Sequence, residues 1–305
     1  MSIGSRVVVV GIDGSDGSQG ALAHAAWQAH RRGAALRLVY AHTVAIPFAV
    51  MGIGPDPDEL VRAAKAGAEV LADAQTRVQL AFPELSVTTH VVTDSPGSAL
   101  VAASAEADLV VVGSRGLGGF AGLLLGSVGT QLSAHGQCPV IVMRPPDERG
   151  VLGVGPTHAP VVVGIDGIPA STAALEFAFS EASARGAPLI ATYAWWLLPP
   201  GGSGPMAPRT YDLEQAESEA HRMLSEAVAG WRERYPDVDV TLRPERAVNP
   251  VSGLLELSRS AGLLVVSRHG GNTLTRLLLG SISDITVREA QCPVAVVPEQ
   301  STEDR

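Results

Sequence analysis

The sequence predicts an α/β chain of two tandem, doubly wound domains, each an open parallel sheet of five strands. Three observations carry this. Short apolar runs such as Val7–Val10 and Leu109–Val112 end in glycine, the pattern of strands buried on both faces. Helical patterns separate the runs throughout, and strand–helix alternation specifies parallel strands joined by right-handed crossovers. The plan is also written twice: Val8–Gly14 (Val-Val-Val-Gly-Ile-Asp-Gly) returns unchanged as Val161–Gly167, Leu123–Ser127 as Leu277–Ser281, and Gln137–Val140 as Gln291–Val294. The offset is 153 residues early and 154 later, too long for a solenoid repeat, so each copy is a whole domain.

In the first copy the strand Val7–Val10 stops at Gly11, which sets Asp13 just past its C-terminal end, where ligands of open α/β sheets collect. Ser15 or Ser18 caps the next helix, whose small apolar residues Ala21, Leu22, Ala25 and Ala29 recur at helical spacing up to Gly33. Strand Leu36–Ala41 follows, then a Pro/Gly-rich apolar loop at 43–57 and a helix from Asp58 to Ala81. Strand Val87–Val92, a helix from Pro96 to Glu106, strand Leu109–Val112, a helix opening near Leu125 and strand Val140–Met143 complete it. The second copy runs Val161–Val163, helix Ser171–Arg185, Leu189–Ala194, a loop at 197–210, helix Asp212–Arg234, Val238–Leu242, helix Pro250–Ser260, Leu263–Val266, a helix from Leu279, and Val294–Val297. Domains are thus expected at 1–146 and 159–305 with a Gly/Pro-rich linker at 147–158. The apolar loop residues, Ile46 and Phe48 in one copy and Trp195 and Trp196 in the other, either cover a ligand, meet a subunit or pack under the loop.

Composition narrows the function. The net charge of −9 splits as ten basic against 13 acidic side chains in residues 1–150, and 12 against 18 in the remainder. Neither half is a basic surface for nucleic acid. No apolar run approaches membrane-spanning length, and the start of the chain has no signal-like apolar stretch, so the expected location is cytoplasmic. Cys138 and Cys292, at matching places, read as buried free thiols. Lys65 is the sole lysine and lies far from the glycine clusters, which leaves no lysine to grip a phosphate or form a Schiff base.

The chemistry gathers between Gly113 and Ser127. Gly113-Ser-Arg-Gly116, nine residues, then Gly126-Ser127 follows a buried strand: glycines let the backbone approach a phosphate, and a helix opening at Gly126 offers unpaired N–H groups to an anion. Ser127 adds a hydroxyl donor or a ligand for a phosphate-bound metal. Gly116-Leu-Gly118-Gly-Phe-Ala121 also fits a dinucleotide fingerprint, yet it follows the fourth strand and no carboxylate comes until Asp147, which disfavours nicotinamide or flavin. The second copy reads Ser267-Arg-His269-Gly270, nine residues, then Gly280-Ser281; Ser267 brings a Cβ where the first copy has glycine, and weaker binding is expected there. Asp13 and Asp166 either contact a nucleotide or cap the next helix. Arg115, Arg268 and Arg276 either neutralise phosphate or stand in solvent.

The G-x2-G-x9-G-[S/T] pattern after a late strand resembles the ATP-binding subclass of the universal stress protein family, and the resemblance covers nearly the whole chain twice. It implies a Rossmann-like sheet of the adenine nucleotide alpha hydrolase type, with paired last strands between domains and a pseudo-dimeric chain. It implies ATP as ligand, with Mg2+ accompanying the phosphates. Gly11, Asp13 and Ala41 would line the adenine pocket, Val112, Gly113 and Arg115 would flank base and ribose, and Gly116, Gly126, Ser127 and Val128 would hold the phosphates. The matching set is Gly164, Asp166, Ala194, Val266, Ser267, His269, Gly270, Gly280, Ser281 and Ile282.

Three function classes follow. A nucleotide-binding signalling module needs only a cradle and an adenine pocket, both of which the chain supplies. A phosphoryl-transfer enzyme needs a cationic clamp, a metal carboxylate and a water-positioning group; the chain has no G-x-x-x-x-G-K-[S/T], no G-x-S-x-G and no metal-ligand spacing among its eight histidines. A scaffold without nucleotide would not need Gly126-Ser127 and Gly280-Ser281. The sequence favours an ATP-dependent regulatory module for stress or growth arrest, in a homodimer of tandem chains with an unnamed downstream protein.

Overall fold

In a computed structural model of the chain, residues 6–43, 57–117, 125–144, 158–165, 172–195, 213–246, 250–268 and 282–299 are described. The chain divides into two units, Met1–Pro156 and Thr157–Arg305.

Unit 1 contains β1 (Val7–Gly11), α1 (Asp16–Arg32), β2 (Ala35–His42), α2 (Pro57–Ala81), β3 (Val87–Thr93), α3 (Pro96–Ser104), β4 (Leu109–Gly113), α4 (Ser127–His135) and β5 (Val140–Met143). Its strands lie in the order β3-β2-β1-β4-β5, every pair parallel. The strand order reverses beside β1, so the ends of β1 and β4 flank the crevice that such a switch opens. Val8, Val9, Val10, Val110 and Val111 are wholly buried, as the continuous β-branched runs require. Ser15 caps α1 by accepting from Ser18 N, and Gly33 ends it in the left-handed region at φ 59°. Ser95 caps α3 in the same way, with Pro96 in the first turn.

Unit 2 contains β6 (Val161–Gly164), α5 (Thr172–Arg185), β7 (Leu189–Trp195), α6 (Leu213–Arg234), β8 (Val240–Arg246), α7 (Pro250–Ser258), β9 (Leu263–Arg268), α8 (Ile282–Glu289) and β10 (Val294–Pro298). Its strands lie in the order β8-β7-β6-β9-β10, again all parallel. The α/β class and parallel sheets therefore match the sequence expectation. One element is displaced: the strand expected at Val238–Leu242 runs from Val240 to Arg246. Arg243, Pro244 and Glu245 read as a strand stop, but β8 is an edge strand with one neighbour, and such a strand tolerates charge and proline.

The duplication reaches individual hydrogen bonds. Ser104 Oγ accepts from Gln137 N at 2.9 Å and Ser258 Oγ from Gln291 N at 3.1 Å, each tying the end of a helix to the entry of the last strand. Cys138 and Cys292 sit beside these contacts, buried and outside any disulfide.

Candidate functional site

Past the end of β1 the chain turns through Gly14 at φ 85°, which places Asp13 at the mouth of the sheet. Its Oδ1 accepts from Ser15 N at 3.0 Å and Ser15 Oγ at 2.6 Å, an Asx turn that organises the start of α1. Its Oδ2 accepts from Leu117 N at 2.9 Å. One carboxylate thus fastens the β1–α1 turn to the loop that leaves β4. Gly116 lies against Oδ2, and a Cβ there would collide with it.

The other expected glycines have different tasks. A Cβ on Gly113 would meet the backbone of Gly17 at 2.7 Å, and one on Gly17 would meet the Arg115 carbonyl oxygen at 2.6 Å. These two glycines let the first turn of α1 lie directly on the end of β4. Gly11 likewise makes room for Leu100, 2.7 Å from where its Cβ would stand. The Gly126 N–H corrects an expectation: it donates to Ser114 O at 2.7 Å and is not open to a ligand. That bond seats the opening of α4 against the β4 loop. Gly126 has no side chain to cap the helix, and the first internal bond is Thr130 N to Gly126 O at 3.1 Å. The amides of Ser127, Val128 and Gly129 precede that bond and are the donors a helix N-terminus offers. Ser127 is exposed and Val128 half-buried; Arg115 is exposed, and Ala41 and Val112 are the penultimate residues of β2 and β4, which run one residue past the expected ends to His42 and Gly113.

In unit 2, Gly164 stands against Leu254 as Gly11 does against Leu100, with its Cβ position 3.1 Å away. Ser267 pairs with Val297 in the sheet, and its buried Oγ has no hydrogen-bond partner. Val266 is buried beside it, Ala194 lies in β7, and Ile282, 43% exposed, opens α8. Asp166, His269, Gly270, Gly280 and Ser281 lie outside the described residues, as does Arg276 and most of both apolar loops. Among the described residues no group of His, Cys, Asp and Glu is placed to hold a metal, and no helix is long and apolar enough to cross a membrane.

Residues 4–144 and 158–298 each match the model of the Universal stress protein family. The chain belongs to the universal stress protein family. A universal stress protein of Mycobacterium tuberculosis is 39% identical over 297 residues, covering 95% of this chain and 96% of its own length. One of Mycolicibacterium smegmatis is 36% identical over 294 residues, with 95% and 96% coverage. A universal stress protein of Archaeoglobus fulgidus, known from its crystal structure, superposes with a TM-score of 0.69 at 17% identity, covering 97% of each chain. That likeness concerns the fold alone.

Within this universal stress protein, sequence reasoning singled out Asp13 and Gly116, which the structure brings together, but missed what joins them. Ser15, Gly17, Ser114 and the Leu117 amide complete the arrangement. Asp13-Gly14-Ser15 carried a legible signal for the Asx turn, and Gly17 in a first helical turn signalled a close backbone approach. Ser114 and Leu117 carried none, because each acts through its backbone.

Proposed function

We propose that this universal stress protein binds ATP at the mouth of β1 and β4 in unit 1 and acts as a nucleotide-dependent regulatory module. The observation that carries the reading is the uncapped start of α4 held against the β4 loop by the Gly126–Ser114 bond, next to a glycine turn that Asp13 fixes. The phosphates would lie at the Ser127, Val128 and Gly129 amides, where the helix dipole favours negative charge. Ser127 would add its hydroxyl, to a phosphate oxygen or to a Mg2+ that arrives with the nucleotide. Asp13 Oδ2 has one protein donor in the structure and keeps capacity for a second, which suits an adenine amino group. The second site, with Ser267 in place of glycine, would bind more weakly, and the assembly would be a homodimer. The sole lysine, Lys65, lies on α2 and not on the β4–α4 segment that would hold the phosphates, which supports a binding role over phosphoryl transfer.

Nucleotide released on denaturing the purified protein, together with ATP calorimetry, tests this. Gly116→Ala drives a methyl into Asp13 and should weaken ATP binding by about tenfold, equivalent to about 1.4 kcal/mol. Unchanged affinity in Gly116→Ala and Asp13→Ala together would remove this site from consideration. Rapid multiple-turnover phosphate release would replace the module with an enzyme.

A further inference from the structure

Each unit presents an edge strand, and the two edges differ. In unit 1 the bond from Leu36 N to Ser86 O at 2.8 Å fixes the phase of β3 against β2. In a parallel ladder alternate residues turn both backbone groups to the same neighbour, so Thr88, His90 and Val92 face β2 while Val87, Thr89, Val91 and Thr93 point theirs away. Among the described residues nothing bonds to that outer row. In unit 2, Leu189 N to Asp239 O at 2.8 Å sets the same phase, and the outer row of β8 is Val240, Leu242, Pro244 and Arg246. Pro244 stands where unit 1 has Val91 and removes a donor from the middle of the row. Arg243, Glu245 and Arg246 add charge, the usual guard of an edge. β3, reading Val-Thr-Thr-His-Val-Val-Thr, has neither Asp, Glu, Lys, Arg nor proline; Val91 is 37% exposed.

We propose that β3 is the surface through which two copies of this chain dimerise, by antiparallel pairing of β3 with β3 about a two-fold axis at His90. In that register Val87 meets Thr93 and Thr89 meets Val91, and each outward N–H finds a carbonyl on the partner strand. The pairs flanking the axis are all Val or Thr, both β-branched; His90 meets its own copy on the axis, and no Asp, Glu, Lys or Arg lies in the strand. The second copy is the occupant because this edge complements itself, whereas β8 would set Arg243 against Arg243. Because the two-fold pairs β3 with β3, the contact is isologous, uses the same edge on both copies and closes as a dimer. The inference takes from the proposed function only the second copy as partner and does not depend on nucleotide.

The test is sedimentation velocity of the full chain at roughly 100 μM, a concentration at which small interfaces still associate. Wild-type protein is expected as a dimer, and Val91→Pro, which copies the unit 2 edge, as a monomer with unchanged circular dichroism and unchanged ATP calorimetry. A monomeric wild type, or a folded Val91→Pro that stays dimeric, overturns the proposal. Should Val91→Pro fail to fold, His90→Cys decides: residues opposed across the axis have Cα atoms about 4.5 Å apart, within disulfide reach. Mild oxidation should then give a covalent dimer of His90→Cys and none of Arg243→Cys; equal yields, or none from His90→Cys, overturn it.

Discussion

Units 1 and 2 build the same five-stranded plan, yet they fill one buried position on the first helix with different chemistry. Gln28 in α1 and Glu181 in α5 occupy equivalent places, and both are 0% exposed. Arg32 Nε donates to Gln28 Oε1 at 2.9 Å, whereas Arg185 donates to Glu181 Oε2 through Nε at 3.2 Å and Nη2 at 2.9 Å, and through Nη1 to Gly262 O at 3.3 Å. The sheet dictates side-chain size and an acceptor for the arginine, but leaves the charge of that acceptor free. A neutral amide serves where its arginine is half-buried; a carboxylate serves where the arginine is only 6% exposed and a full charge must be matched.

Removing the acceptor in each unit is the strongest way to break this comparison. Glu181→Ala removes the carboxylate that matches a buried guanidinium and should lower stability by about 3–5 kcal/mol, against about 1–3 kcal/mol for Gln28→Ala, read as urea unfolding midpoints. Equal losses would mean that charge is immaterial at this position. Next in size is the exchange of the strand-end residues. Gly113→Ser imports the unit 2 residue into unit 1, where its Cβ meets the Gly17 backbone at 2.7 Å. It should cost about 1–3 kcal/mol and reduce ATP binding in calorimetry, while Ser267→Gly should raise the share of ATP bound by unit 2. The smallest effect sharpens the comparison from the other side. Thr192 is wholly buried with no partner for its Oγ1, at the place where unit 1 has Val39. Thr192→Val should raise the melting temperature, through a gain of about 1 kcal/mol.

Much of the fold was legible because its signals are local. The apolar runs gave β1, β4 and β6, the helical pattern opening at Pro96 gave the start of α3, and the repeat announced two copies. β8 was not legible past Leu242, since local polarity there argues for a turn. Its membership depends on having a neighbour on one side only, a fact about the sheet.

The candidate site divides in the same way. Sequence alone determined which residues gather at the strand ends, because strand direction and helix alternation bring Asp13, Gly116 and Ser127 to one edge of the sheet. Only the tertiary structure decided what each does there. Gly113 serves the approach of α1, Gly126 spends its amide on Ser114, and Asp13 clasps the Leu117 amide 104 residues away. A residue type limits which bonds a group can form, but which amide is left open depends on partners that only folding brings within reach.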